Sequence, residues 1–264
     1  MTPSITVARS APSTADAIGL AVGPSGAVPR TLGLNRTTLK THGFNGKPGD
    51  LLVIPAKDAP TMVAIGVGDK PTAATLRNAA ARFVRAVPYA ANLATNLAGS
   101  SDADLAQAVV EGALLARYRY VDGPSNGATP INSLTLVSNA TTKTSPGAQR
   151  GAITAGAAMR ARDLANTPPN KLTARDFAAQ ASKIAEANGL DIEIFDADAL
   201  AVMGCGGLLG VNAGSVEPPR MVKLSYTPSK PKAHVALVGK GVMYDSGGIS
   251  LKPSNASHIA MPHG

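Results

Sequence analysis

At 264 residues the chain can form one large or two modest domains, and its 44% hydrophobic and 16% charged content marks a globular rather than a disordered sequence. No apolar run approaches the ~20 residues needed to span a bilayer, Met1-Thr2-Pro3-Ser4 is unlike a secretory leader, and the single Cys205 excludes an internal disulfide framework and fits a reducing cytoplasm. The net charge is +8, with 14 Lys/Arg against 8 Asp/Glu in residues 1–150, but the cations are scattered and lack interleaved aromatics, so they read as solvated surface rather than a nucleic-acid face.

In chain order, Ala17–Val22, Asp50–Pro55 and Thr61–Val67 are short apolar runs bounded by Gly and Pro, which predicts strands. Thr72–Leu97 is Ala-rich with helical spacing at Leu76, Ala80, Phe83, Val84 and Val87, and Pro88 should break or kink it. Asp104–Tyr118 presents a broad apolar helical face, and Ile131–Val137 reads as a strand. This alternation predicts an α/β sandwich around a largely parallel sheet.

The polar stretch Asn139–Gln149 predicts the approach to a boundary near residue 150, separating domains 1–150 and 151–264. A helix is expected from Gly151 to Ala165, stopped by Asn166-Thr167-Pro168-Pro169-Asn170. Thr173 is placed to cap a helix over Ala174–Asn188, with Gly189 at its C-terminal cap. Asp191–Phe195, Met221–Tyr226 and Val235–Val238 are expected strands of a second α/β unit. Cys205 reads as a small residue in a Gly-rich turn rather than a catalytic thiol, since no histidine lies near it in sequence.

The chemistry concentrates in Val238-Gly239-Lys240-Gly241-Val242-Met243-Tyr244-Asp245-Ser246-Gly247-Gly248-Ile249-Ser250-Leu251-Lys252-Pro253, where two lysines and a carboxylate fall within thirteen residues after an apolar run. A carboxylate beside two amines at a strand end makes a compact polar site, and the three are expected to converge beyond the Val235–Val238 strand. A phosphate-cradling loop fails, because Gly241 rather than Ser or Thr follows Lys240. Asp245-Ser246-Gly247-Gly248 echoes a serine-protease nucleophile region, but the first half is helix-rich and offers only His42 as a partner base. On the residues alone, a Gly-rich turn with surface lysines remains the leading reading.

The segment resembles the signature of the leucyl aminopeptidase (cytosol aminopeptidase) family of two-metal exopeptidases. Asn166-Thr167-Pro168-Pro169-Asn170, Gly206-Gly207-Leu208-Leu209-Gly210-Val211, Gly214-Ser215 and Pro218-Pro219-Arg220 resemble further landmarks of its catalytic domain in the same order, and Val110-Glu111-Gly112-Ala113-Leu114-Leu115 resembles a helix late in its N-terminal domain. The resemblance implies an N-terminal α/β (macro-like) domain followed by the incomplete start of an α/β catalytic domain. It implies Lys240 and Asp245 as metal ligands, the lysine binding through a neutral amine favoured by burial, and Lys252 as the cation that steadies the oxyanion. It further implies two divalent ions (Mn²⁺ or Zn²⁺), peptide substrates with N-terminal leucine preferred, a cytoplasmic location and a homo-oligomer, hexameric in the family. The ions would hold the substrate's amino end and the attacking water.

Family members continue with Met-Lys-x-Asp-Met, whose aspartate binds metal, and later supply another aspartate, a glutamate and an arginine. Here the sequence reads Met261-Pro262-His263-Gly264, which puts the expected aspartate at Gly264 and suggests a truncation or frameshift. His258 and His263 are not expected to replace the absent ligands. A chain with two ligands is expected to be weakly active or inactive. The alternative reading is a non-catalytic basic α/β module acting in oligomer assembly or on DNA.

Overall fold

The computed structural model describes residues 3–99, 102–121 and 127–255, in two compact units, 1–161 and 162–264. Met261, His258 and His263 lie outside the described residues.

The described residues of the first unit build a sheet with strand order β1-β6-β5-β2-β4-β3, comprising β1 (Ser4–Ala8), β2 (Ala17–Val22), β3 (Leu51–Ile54), β4 (Thr61–Gly66), β5 (Asn92–Thr95) and β6 (Ser133–Val137). All neighbours run parallel except β3, which lies antiparallel to β4 at the edge. Strand side chains alternate between faces, and both faces are apolar. Ala17, Val63, Ile65, Leu93, Leu134 and Leu136 pack with Phe83 and Val84 of α2 (Ala73–Ala86) and with Val109 and Val110 of α3 (Ala103–Arg117). On the other face Leu20, Val22 and Ala64 meet Leu32, Phe44 and Leu39, the last on α1 (Arg36–Thr41). The expected α/β architecture with a largely parallel sheet is therefore present.

Tertiary pairing decides two stretches. In the Ala-rich run Thr72–Leu97 the helix ends at Ala86, just before Pro88 where a break was expected, but the part beyond it does not resume a helix: Asn92–Thr95 becomes β5, hydrogen-bonded between β2 and β6. The helix expected from Gly151 starts ten residues earlier, at Thr141, inside the polar stretch Asn139–Gln149 read as the approach to a boundary, and this α4 (Thr141–Asn166) takes Pro146 inside it. Contact with α3 holds that turn: a Cβ at Gly147 would overlap the Ala103 carbonyl oxygen, so only glycine permits this approach. Buried Thr144 hydrogen-bonds Ser138 at the end of β6.

Glu111 of α3 ties three helices together. It accepts hydrogen bonds from Arg77 of α2 (2.7 and 3.1 Å), from Gln107 (2.7 Å) and from Thr154 of α4 (2.8 Å). Burial alone would raise its carboxyl, and these donors together bring it below its ordinary value. Arg117 donates to the carbonyls of Val84, Val87, Pro88, Ala90 and Thr129, which answers the unpaired carbonyls at the C-terminal end of α2. Its burial pushes the guanidinium below its ordinary value.

In the second unit α5 (Ala174–Asn188) has the expected bounds and caps, and its N-terminal cap is reciprocal. Thr173 accepts from the Asp176 amide, the Asp176 carboxylate accepts from Thr173, and Gly189 closes the helix in the left-handed region. After it come β7 (Asp191–Phe195), α6 (Ala197–Val202), α7 (Gly206–Asn212) and β8 (Met221–Ser225), with β7 and β8 antiparallel. Cys205 sits at the start of α7 after Gly204, in line with a turn residue. Its buried apolar residues among those described are Leu172, Ala178, Ala181, Ala185 and Leu200. The expected strand Val235–Val238 does not form: these residues are exposed and no ladder pairs them. A strand without a neighbour leaves its backbone groups to water and gains nothing from its apolar side chains.

Candidate functional site

The segment from Ser246 to Lys252 doubles back on itself. Gly247 and Leu251 form an antiparallel bridge, the Lys252 amide donates to the Ser246 carbonyl (2.9 Å), and Gly248 donates to the Ser250 carbonyl (3.3 Å). Gly247 makes the reversal possible with a φ of 97°, in a region that L side chains avoid. This fold-back brings together two residues seven apart: the Lys252 ammonium lies 3.0 Å from Asp245 Oδ2. The other oxygen, Oδ1, accepts from the Gly247 amide at 3.0 Å. The Asp245 carboxyl is held below its ordinary value by the Lys252 hydrogen bond first, then by the Gly247 amide, with weaker attraction from the Lys252 and Lys240 charges.

Asp245 and Lys252 are therefore joined directly, while Lys240 acts on the carboxylate only through its charge. Lys240 is exposed, whereas the family resemblance implies a buried amine. The Gly247 amide is the participant that sequence reading missed. The Gly-Gly pair after Asp245-Ser246 carried its signal, since an aspartate two residues before a turn glycine commonly accepts from that backbone.

The fit to a pair of divalent cations can be judged from this donor set. Both Asp245 oxygens already accept hydrogen bonds, and among the described residues no group of three or more His, Cys, Asp or Glu side chains could hold a metal ion. One carboxylate and one exposed amine do not fit two divalent metals. A depression beside α2, lined by Pro48, Gly49, Asn78, Arg82 and Arg85, contains none of the three candidate residues. No helix among the described residues is long and apolar enough to cross a membrane.

Residues 159–261 match the cytosol aminopeptidase family, catalytic domain, and residues 29–123 match the cytosol aminopeptidase family, N-terminal domain. Lys240, Asp245 and Lys252 lie within the first match. Probable cytosol aminopeptidases of Streptomyces avermitilis and Mycobacterium leprae are 41% and 38% identical over 240 and 224 residues, covering 82% and 78% of this chain but 46% and 42% of theirs. The solved bottromycin maturation enzyme BotP in complex with Mn superposes with a TM-score of 0.79 at 36% identity, over 94% of this chain and 52% of its own. A tomato leucine aminopeptidase mutant, at 20% identity and a TM-score of 0.74, shares the fold. The chain spans about half the length of the curated relatives it matches. With both domain matches in sequence order and relatives above 35% identity across most of its length, the chain belongs to the cytosol aminopeptidase family.

Proposed function

We propose that this chain carries one portion of an aminopeptidase active site, one that releases N-terminal residues, leucine by preference, from cytoplasmic peptides in a homo-oligomer. The observation that carries this reading is the Asp245–Lys252 pair, closed at 3.0 Å by a tight turn inside the catalytic-domain match. An ammonium fixed by one carboxylate is a positioned cation able to steady negative charge on a substrate carbonyl oxygen. Lys240 and Asp245 are the two metal donors this segment would contribute, and the Mn complex of BotP supports manganese as the ion to test. In this reading residues 1–150 are the N-terminal domain and residues 151–264 the start of the catalytic domain.

One carboxylate and one amine leave most of the charge of two divalent ions unbalanced, so the 264-residue chain alone is proposed to be inactive. Against the competing basic-module reading, four of the first unit's cations, Arg36, Arg77, Arg117 and Arg150, are engaged by its own carbonyls, carboxylates or Gln107. The test assays the purified chain on a leucyl amide with excess Mn²⁺, beside Lys252→Ala. Both should match a metal-only control. Turnover above the control that disappears in Lys252→Ala would show the chain to be a competent enzyme by itself.

A further inference from the structure

Helix α2 carries three arginines, Arg77, Arg82 and Arg85, and no Asp or Glu. Arg77 turns toward α3, where Glu111 neutralises it at 2.7 Å. Arg82 and Arg85 have no ion-pair or hydrogen-bond partner among the described residues. Three positions apart, they are neighbours on the helix surface, where two like charges without a counter-ion repel. Local rules broken in this way concentrate where a protein meets a ligand.

Both arginines line the depression beside α2, a groove of about 490 Å³. Asn78, one turn before Arg82, lines it too, and Pro48 and Gly49 of the loop before β3 complete it. The lining holds no carboxylate. Asp50, the acid in that loop, has Oδ2 turned to the Asn45 and Lys47 amides at 2.7 and 3.2 Å. Positive charge and donors without a balancing acid select an anion. Two guanidiniums are matched by a dianionic phosphate group, whose terminal oxygens accept from both forks, whereas a single carboxylate balances only one of them. The groove exceeds a phosphate ion and falls in the range of small-molecule sites, about 300–1,000 Å³. The Asn78 amide beside the arginines both donates and accepts, as a hydroxyl group requires of its partner. Two cations in one groove are too few for a nucleic-acid strand, which is held through a run of phosphate contacts.

We propose that this groove binds a small sugar phosphate, with the phosphoryl group held by Arg82 and Arg85 and the hydroxylated part against Asn78. The site lies wholly within the first unit and is independent of the aminopeptidase reading.

The test titrates the full 264-residue chain with glucose 6-phosphate while backbone amide shifts are followed. Saturable shifts at residues 78, 82 and 85 are expected, with a Kd of about 1 mM or tighter. Inorganic phosphate, which lacks the sugar, and gluconate, which carries a carboxylate in place of the phosphoryl group, should each bind at least tenfold more weakly. Arg82→Gln and Arg85→Gln, both at exposed positions, should each weaken binding at least tenfold with thermal unfolding unchanged, while Arg9→Gln, an exposed cation outside α2, should leave binding as it is. The absence of a saturable shift, an equal loss in Arg9→Gln, or gluconate binding as tightly as glucose 6-phosphate would each overturn the proposal. So would equal affinity for inorganic phosphate, which means an adventitious ion only, or a duplex oligonucleotide that shifts the same residues at lower concentration.

Discussion

Val63, Leu93 and Leu134, in three strands of the first unit's sheet, are fully covered, whereas Ile194 and Leu224, in the paired strands of the second unit, remain 43% exposed. Both units use short apolar strands between helices, so composition does not separate them. β4, β5 and β6 lie inside a six-stranded sheet with helices on its faces, while β7 and β8 form a two-stranded sheet that α5 and α6 contact. A fully buried Leu, Ile or Val contributes about 1.5–3 kcal/mol relative to leaving it exposed, and Leu237 and Val238 forgo that gain. Apolar sequence becomes stability only where topology supplies a partner.

The largest effect that tests this contrast is a truncation in each region. Phe83→Ala removes a fully buried ring from the α2 face and should cost about 3–5 kcal/mol by denaturant unfolding, whereas Val238→Ala, almost wholly exposed, should change stability by less than about 0.5 kcal/mol. Equal costs at the two sites would erase the distinction. Next in size, Gly112→Ala in α3 should cost about 1–3 kcal/mol, because its new Cβ would overlap the Arg77 carbonyl of α2 and force the helices apart. A neutral Gly112→Ala would mean that α2 and α3 are free to separate.

The smallest effect concerns Glu111. Its folded carboxyl lies below the ordinary value of 4.5, so its stabilising contribution is present above that value and is lost as pH falls through the lower folded one. Glu111→Gln should cost about 1 kcal/mol at neutral pH, through weakened hydrogen bonds from Arg77 and Thr154, and should flatten the loss of stability on acidification. An unchanged acid dependence in the variant would remove Glu111 from the account.

What could be read in the sequence divides along the same line. β2 was legible to the residue, because its period and bounding glycine are local signals, and α5 was legible with both ends, because Thr173 and Gly189 are local signals that each sit next to the end they cap. β5 was hidden in an Ala-rich run, since only pairing with β2 and β6 makes Asn92–Thr95 a strand. The start of α4 was hidden by Pro146 and by polar residues, which contact with α3 overrides. β1 and the short helices α1, α6 and α7 carry too few residues for a period to show. At the candidate site the meeting of Asp245 and Lys252 followed from a Gly-rich turn, while the Gly247 amide emerged only from backbone geometry and Lys240 stands exposed rather than buried. Val235–Val238 has strand composition without a strand, because no ladder pairs it among the described residues.

The central claim is that the first unit stands on its own packing and the second does not. Limited proteolysis of the full chain tests it most directly, with fragments identified by mass. The account predicts a resistant fragment covering about the first 160 residues, a size normal for one domain, with early cleavage in the exposed segment 226–244. Preferential survival of a fragment drawn from residues 162–264 would contradict it.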